Sequence, residues 1–330
     1  MTNHASDADV LITTAFLHEG DAVDTMLRDA GLRTVHTTGL TEMGDGPRRA
    51  LLAGVRAIIA GTDRLEGRFL EEAPDLRIVV RTGVGYDNVD VEAATSRGVP
   101  VCVTAGSNRQ AVAEHVFALM LSAARNIPDG RDLAEGRWRQ RTGRELRGAT
   151  LGILGLGSIG KAVAHIARAF GMRVMAYDPH FDAEYAAAHR IERGDLEDVL
   201  READFLTLHL FLDDSTRDLL DAAAFATMKS DAVVINTSRG GVIDEDALVA
   251  AVRCGRIGAA ALDVFRVEPL PVDSPLLHTP GIITTGHIAG ATREARAASG
   301  RNAADNVLTV LGGGRPAHVV NPAYEKFVHA

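Results

Sequence analysis

Short runs rich in Val, Ile and Leu alternate with helix-forming segments along nearly the whole 330-residue chain. Alternation of this kind marks β-α-β units, and such units bury their strands in a parallel sheet with helices on its faces. The first set reads ADVLITT, RTVHTT, VRAIIAG, LRIVVRTG and VPVCVT. Amphipathic stretches separate them, such as DAVDTMLRDAG, which ends on a helix-stopping glycine, and FLEEAP. After a longer apolar helix over Arg109 to Arg125, a second set reads TLGILGLG, MRVMAYD, DFLTLHL, DAVVINTS, IGAAALDVF and GIITTGH. The expected fold is therefore α/β with two doubly wound parallel-sheet lobes, the second carrying six strands.

The length suits two domains, and the formal charge of -9 argues against nucleic acid as a partner. The one basic cluster, Arg137 to Arg147, reads as a solvated edge or, alternatively, as a contact for an anionic substrate. Charge interrupts every apolar stretch, so no membrane span is expected. The polar N-terminus leads into LITTAF, which is too short for a secretory signal. Cys102 and Cys254 are far apart and form neither a disulfide framework nor a metal spacing; no metal is expected, and a reducing cytoplasm fits best.

Gly155-Leu156-Gly157-Ser158-Ile159-Gly160 follows the strand TLGIL and opens the helix KAVAHIARAFG. In that context Gly155 allows a tight turn, Gly157 lets backbone approach a pyrophosphate, and Gly160 lets helix and strand pack closely. The helix N-terminus adds unpaired N-H groups and positive potential for phosphates. Asp178 ends the next strand about twenty residues on, where a carboxylate accepts from ribose hydroxyls and repels a 2′-phosphate, so NAD is the expected cofactor. The helix-like stretch from Thr292 stands apart from this lobe. The expected domains are a discontinuous substrate-binding domain, residues 1–103 plus 289–330, and an NAD-binding Rossmann domain, residues 104–288.

Three further segments end strands of the nucleotide lobe, the edge where open α/β sheets bind ligands. They present Arg239 beside Gly240-Gly241, Glu268 after Asp263, and His287 in TTGHIAGAT. A histidine alone is most often structural, but this trio suits hydride exchange between a hydroxy acid and a nicotinamide. The guanidinium holds a carboxylate in its planar fork, and the imidazole takes the hydroxyl proton and returns it in reverse. A carboxylate on the other ring nitrogen fixes the tautomer and favours the charged form. Gly290 and its small neighbours would let backbone pass close to the nicotinamide.

The chain resembles the D-isomer-specific 2-hydroxyacid dehydrogenases, most closely their short, phosphoglycerate-dehydrogenase-like branch. RTGVGYDNVDVEAATSRGVPV, SNRQAVAEHVFALMLSAARNIP, LRGATLGILGLGSIGKAVAHIARAFGMRVMAYDP, INTSRGGVIDEDALVAAV, GAAALDVFRVEPL and GHIAGAT carry the resemblance in family order. It implies a Rossmann NAD-binding domain inserted into a flavodoxin-like substrate domain, without a regulatory domain. It matches Arg239, Glu268 and His287 to the family's substrate arginine and glutamate-histidine pair. It further implies that Asp263 holds the nicotinamide carboxamide, that Ser158 and Ile159 contact the pyrophosphate, and that Leu210 and Thr237 line the cofactor. Val84 and Gly85 match backbone amides that receive the substrate carboxylate. Asn108 and Arg81 match substrate-proximal positions, with a helix cap and a surface ion pair as their plain alternatives.

Two departures stand out. Where phosphoglycerate enzymes place an arginine after the third strand, this chain reads Ile59-Ala60-Gly61-Thr62, with no cation before Arg64, which argues against 3-phosphoglycerate. Gly286 replaces the family's common proline before the histidine. The expected activity is thus NAD-dependent oxidation and reduction of a small 2-hydroxy or 2-oxo acid, with phosphoglycerate, hydroxypyruvate and glyoxylate as the alternatives. An NADH-sensing, corepressor-like binding protein is the competing class, disfavoured by the complete Arg, Glu and His set. A homodimer is expected, seamed along AVAEHVFALMLSAARNIP, with Trp138 exposed and Arg139 or Arg141 reaching the neighbouring subunit's site.

Overall fold

The computed structural model describes residues 8–127, 135–138 and 140–328. It divides into two compact units, residues 1–108 with 292–330 and residues 109–291.

The first unit is built on a parallel sheet of β1 (Val10–Ile12), β2 (Thr34–His36), β3 (Ala57–Ala60), β4 (Ile78–Arg81) and β5 (Val101–Val103), in the order β2-β1-β3-β4-β5. Strand alternation sends Leu11, Ile58 and Val79 to one face and Val10, Ile59 and Val80 to the other. Both faces must then be covered. Helices α2 (Asp45–Leu52), α3 (Gly67–Glu71) and α4 (Val91–Ser96) supply Leu52, Phe69 and Ala94 to the first face. Helix α1 (Ala22–Asp29) and the C-terminal α11 (Arg293–Leu311) supply Leu27 and Val307 to the second.

A buried polar network centres on Asp24 in this unit. Asp24 is 1% exposed, and its carboxylate accepts from Thr34 Oγ1, Gly20 N (2.8 Å), His36 Nε2 (3.0 Å) and Arg28 Nε (2.9 Å). Burial alone pushes its pKa up, but these donors outweigh burial and hold the carboxyl well below the usual carboxylate range.

The second unit carries a seven-stranded parallel sheet, one strand more than the six expected. Its strands are β6 (Thr150–Leu154), β7 (Arg173–Tyr177), β8 (Glu192–Arg193), β9 (Phe205–Leu208), β10 (Val233–Asn236), β11 (Ala259–Leu262) and β12 (Ile282–Thr284). The additional strand is β8, a two-residue edge whose side chains are both exposed, so it leaves no apolar signal in the sequence. The order is β12-β11-β10-β9-β6-β7-β8. The chain leaves β6 toward β7 and returns through β9 on β6's other side, which makes the carboxyl ends of β6 and β9 the topological switch point.

Helix α5 (Arg109–Arg125) and α6 (Ser158–Ala169) share one face of this sheet, with Val116, Met120, Val163 and Ala167 in its core. In α6 the buried positions Gly160, Val163, Ala164 and Ala167 recur at helical spacing, and the apolar stripe they form faces the strands. Burying such an aliphatic side chain contributes about 1.5–3 kcal/mol. Helices α8 (Leu196–Glu202), α9 (Ala222–Thr227) and α10 (Glu245–Arg253) cover the opposite face, and the short α7 (Ala183–Ala188) adds Ala186 beside α6. No helix among the described residues is long and apolar enough to cross a membrane.

Candidate active site

The three glycines of the β6-α6 turn have three different physical reasons. Gly155 has φ +98°, and a Cβ there would lie 2.6 Å from His209 O, so both backbone conformation and packing require glycine. At Gly160 a Cβ would lie 2.1 Å from Gly155 O, which fixes the close approach of helix to turn. Gly157 is neither strained nor crowded: nothing lies within 4 Å of its Cβ position, and it precedes α6 without a side-chain cap. An open position at an uncapped helix N-terminus is what a pyrophosphate needs. Ser158 is exposed and Ile159 half-buried on the first turn of that helix.

Asp178 is half-buried just beyond β7. Its Oδ2 accepts from Leu156 N (2.7 Å) and its Oδ1 from His180 N (2.7 Å), so this carboxylate also ties the glycine turn to β7. Leu210 follows β9 and packs on the core, and Thr237 follows β10. The Thr237 hydroxyl is buried without a hydrogen-bond partner, an orphan of the kind a bound ligand satisfies. The open glycine, the uncapped amides and the orphaned hydroxyl together fit a dinucleotide along this edge. His209, which sequence reasoning missed, is pushed down to about 3 by burial and stays neutral beside the turn.

Arg239, Glu268 and His287 lie after β10, β11 and β12, three neighbouring strands, so their connections emerge side by side. Gly240 makes the first approach possible: a Cβ there would lie 2.0 Å from Phe265 C. Asn236, 1% exposed and also missed in the sequence, shapes the Arg239 turn by accepting from Ser238 N (3.0 Å) and donating to Arg239 O (2.9 Å). The Arg239 side chain is half-buried and donates to Ser238 O (2.7 Å).

Glu268 is held at both oxygens. Oε1 accepts from Phe265 N (2.9 Å) and Oε2 lies 2.7 Å from His287 Nδ1. Burial pushes the Glu268 pKa up, but the hydrogen bonds from His287 and Phe265 and the charges of His287 and Arg239 leave it below its ordinary value. His287 Nδ1 therefore faces a carboxylate acceptor, which places the Nδ1 proton there and leaves Nε2 as the ring's other nitrogen for chemistry. The His287 side chain is 46% exposed, and its φ is 54°, a left-handed conformation rare for residues with a side chain.

Asp263 follows β11 directly. It is 0% exposed, its Oδ1 accepts from Thr285 Oγ1 (2.5 Å) and Ile288 N (2.9 Å), and its Oδ2 accepts from Ala289 N (2.8 Å). With both oxygens engaged and no exposure, this aspartate anchors the histidine loop. Burial pushes its pKa up, but donors from His115, Thr285, Ile288 and Ala289 leave it lowered. Gly290 lies in the turn that Ala291 N closes on Ile288 O (2.8 Å).

In the first unit, the loop after β4 carries Val84, half-buried, and Gly85, buried; among the described residues no acceptor takes their amide protons. The Arg81 guanidinium donates to Gly85 O (3.1 Å), Ala60 O (2.9 Å) and Gly61 O, so it ties the β3 and β4 loops together. Asn108 Oδ1 is buried and unpartnered, hence not a helix cap. Of the basic cluster, Arg144 is tied down by Asp204 O (2.8 Å), Asp231 (3.2 Å) and the Phe205 ring, which is the structural reading of that residue. Trp138 is 81% exposed, and Arg139 lies outside the described residues. No group of three potential metal ligands occurs among the described residues.

Comparison with known proteins gives the family. Residues 117–289 match the family model for the D-isomer specific 2-hydroxyacid dehydrogenase, NAD binding domain. The chain is 41% identical to a D-3-phosphoglycerate dehydrogenase of Methanocaldococcus jannaschii over 94% of its own length, but it spans only 59% of that protein. It is 43% identical to a glyoxylate reductase of Aeropyrum pernix, over 79% of this chain and 81% of that one. Among solved structures, a D-lactate dehydrogenase from Aquifex aeolicus, complexed with NAD and lactic acid, superposes with a TM-score of 0.84 at 26% identity, covering 94% of this chain and 99% of the other.

Proposed function

The chain belongs to the D-isomer specific 2-hydroxyacid dehydrogenase family, and on that premise we propose that it interconverts a small 2-hydroxy acid and its 2-oxo acid with NAD. The observation that carries this reading is the Glu268-His287 hydrogen bond of 2.7 Å at the carboxyl edge of the NAD-binding sheet. In this reading residues 109–291 bind NAD and the other unit receives the acid. Held along the β6-α6 turn by Gly157 and the amides of α6, NAD would supply the acceptor or donor of the hydride at C2. His287 Nε2 takes the hydroxyl proton during oxidation and returns one to the carbonyl oxygen during reduction. Glu268 holds the imidazole and balances its positive charge. Arg239 holds the acid's carboxylate and polarises the neighbouring oxygen. Asp178 favours NAD over its 2′-phosphorylated form.

The loop after β3 favours an unphosphorylated acid. A Cβ at Gly61 would lie 2.8 Å from Thr14 Cα, and Ala60 is fully buried, so neither position can carry the arginine that a phosphate would require. The protein acts as a homodimer in this reading. NADH oxidation with glyoxylate, hydroxypyruvate, pyruvate and phosphohydroxypyruvate tests it. Turnover is expected with at least one unphosphorylated acid and is weaker with the phosphorylated one; negligible turnover with every acid would refute the assignment.

A further inference from the structure

His287 stands in a connection with little means of holding itself. Gly286 precedes it, Ile288 is 49% exposed, and φ at His287 is 54°. What restrains the connection is Asp263. Its carbonyl accepts from His287 N (2.8 Å), and its carboxylate accepts from Thr285, Ile288 and Ala289, so one buried residue grips both sides of the histidine. A buried carboxylate is a costly anchor unless donors and charge around it are complete.

The completing group comes from another element. His115, near the middle of α5 and 18% exposed, places Nε2 3.1 Å from Thr285 Oγ1 and 3.5 Å from Asp263 Oδ1. Thr285 has a single hydroxyl proton, which goes to Asp263 at 2.5 Å, so Oγ1 receives the His115 Nε2 proton. The chain His115-Thr285-Asp263 thereby fastens the histidine connection to a 17-residue helix packed in the core of the unit.

Building on the dehydrogenase reading above, we propose that His115 is a positioning residue, which acts through Thr285 and Asp263 to hold His287 in its left-handed backbone conformation and aim its ring. Its action runs through Thr285 and Asp263 and requires no contact with acid or cofactor. Its removal should therefore lower turnover while leaving ligand affinity in place. A displacement of about 1 Å in a reacting group costs on the order of 100-fold in rate.

The test uses the whole chain. His115→Leu should reduce kcat about 10- to 100-fold, with the acid's KM and the NADH Kd from fluorescence titration each within about twofold of wild type. His115→Gln, whose amide nitrogen sits near the lost Nε2, should recover most of the loss. Independently of turnover, amide hydrogen exchange of the peptide holding residues 285–291 should accelerate in His115→Leu, while peptides from β6 and β10 keep their protection. Unchanged kcat with unchanged exchange in His115→Leu overturns the proposal, as does a Gln variant no better than Leu. If His115→Leu does not fold, Thr285→Val breaks the same chain and carries the same expectations. A wild-type protein without turnover would refute the dehydrogenase reading, and the exchange measurement would still decide whether His115 holds the loop.

Discussion

Replacing Glu268 by Gln probes the proposed chemistry with little change of shape. The wild-type carboxylate accepts at both oxygens, from Phe265 N at 2.9 Å and from His287 Nδ1 at 2.7 Å. Glutamine offers one acceptor and one donor. If its oxygen stays with His287, its NH2 group faces the Phe265 N-H and one hydrogen bond becomes a donor-donor clash. If its oxygen stays with Phe265, its NH2 group donates to Nδ1, and the imidazole carries its proton on Nε2, where it can no longer act as a base. Either outcome removes the negative charge that balances an imidazolium. A hydrogen bond to a charged group contributes about 1.5–3 kcal/mol, and exposures of 46% for His287 and 35% for Glu268 argue for the lower half of that range. At about 1.4 kcal/mol per factor of ten, kcat should fall roughly 10- to 40-fold. Stopped-flow or steady-state NADH oxidation over a pH series measures it, with an NADH titration to show that cofactor affinity holds. A variant that keeps more than half of wild-type kcat with an unaltered pH profile would refute the role assigned to Glu268.

Three further outcomes are expected. Asp178→Ala should weaken NADH binding about tenfold or more and narrow the preference over NADPH; because Leu156 N loses its acceptor, the melting temperature should also fall, and fluorescence titration with calorimetry reads both. Asp24→Asn should destabilise the protein by about 2–4 kcal/mol at neutral pH by breaking a buried charged network. The folded Asp24 carboxyl is held below its ordinary 3.8, so its contribution is complete above that value and is lost as pH falls beneath it; the gap between wild type and variant in urea melts should therefore close toward low pH, and a gap that widens there contradicts the assignment. Gly286→Ala should stabilise by about 0.4–1 kcal/mol in denaturant titration, since no atom lies within 4 Å of its Cβ position and its φ is not in the left-handed region.

The strand-helix alternation, the glycine turn with Asp178, and the three polar residues at strand ends were all legible in the chain. Each is a local pattern: period-two and helical hydrophobicity, a turn that needs glycine, a residue just past a β-branched run. Parallel topology then places every strand's carboxyl end at one edge, which is why Arg239, Glu268 and His287 could be nominated together. What escaped were features without local signal. β8 has two exposed residues and no periodicity. Asn236 and His209 look like ordinary polar residues beside strands until their burial and partners are known.

Sequence by itself determined the class of fold, the nucleotide turn and the nomination of Arg239, Glu268 and His287 as a set, because those follow from short-range geometry and side-chain chemistry. Tertiary structure alone decided who grips whom. The order β12-β11-β10 brings Glu268 to His287, the missing Cβ of Gly240 lets the β10 connection touch that of β11, and burial turns Asp263 inward to hold the histidine loop. It also brought His115 from α5 to Thr285, 170 positions away in the chain, a contact that no periodicity encodes. Such pairings depend on which strands become neighbours and how closely their connections pack, and those distances exist only once the sheet has formed.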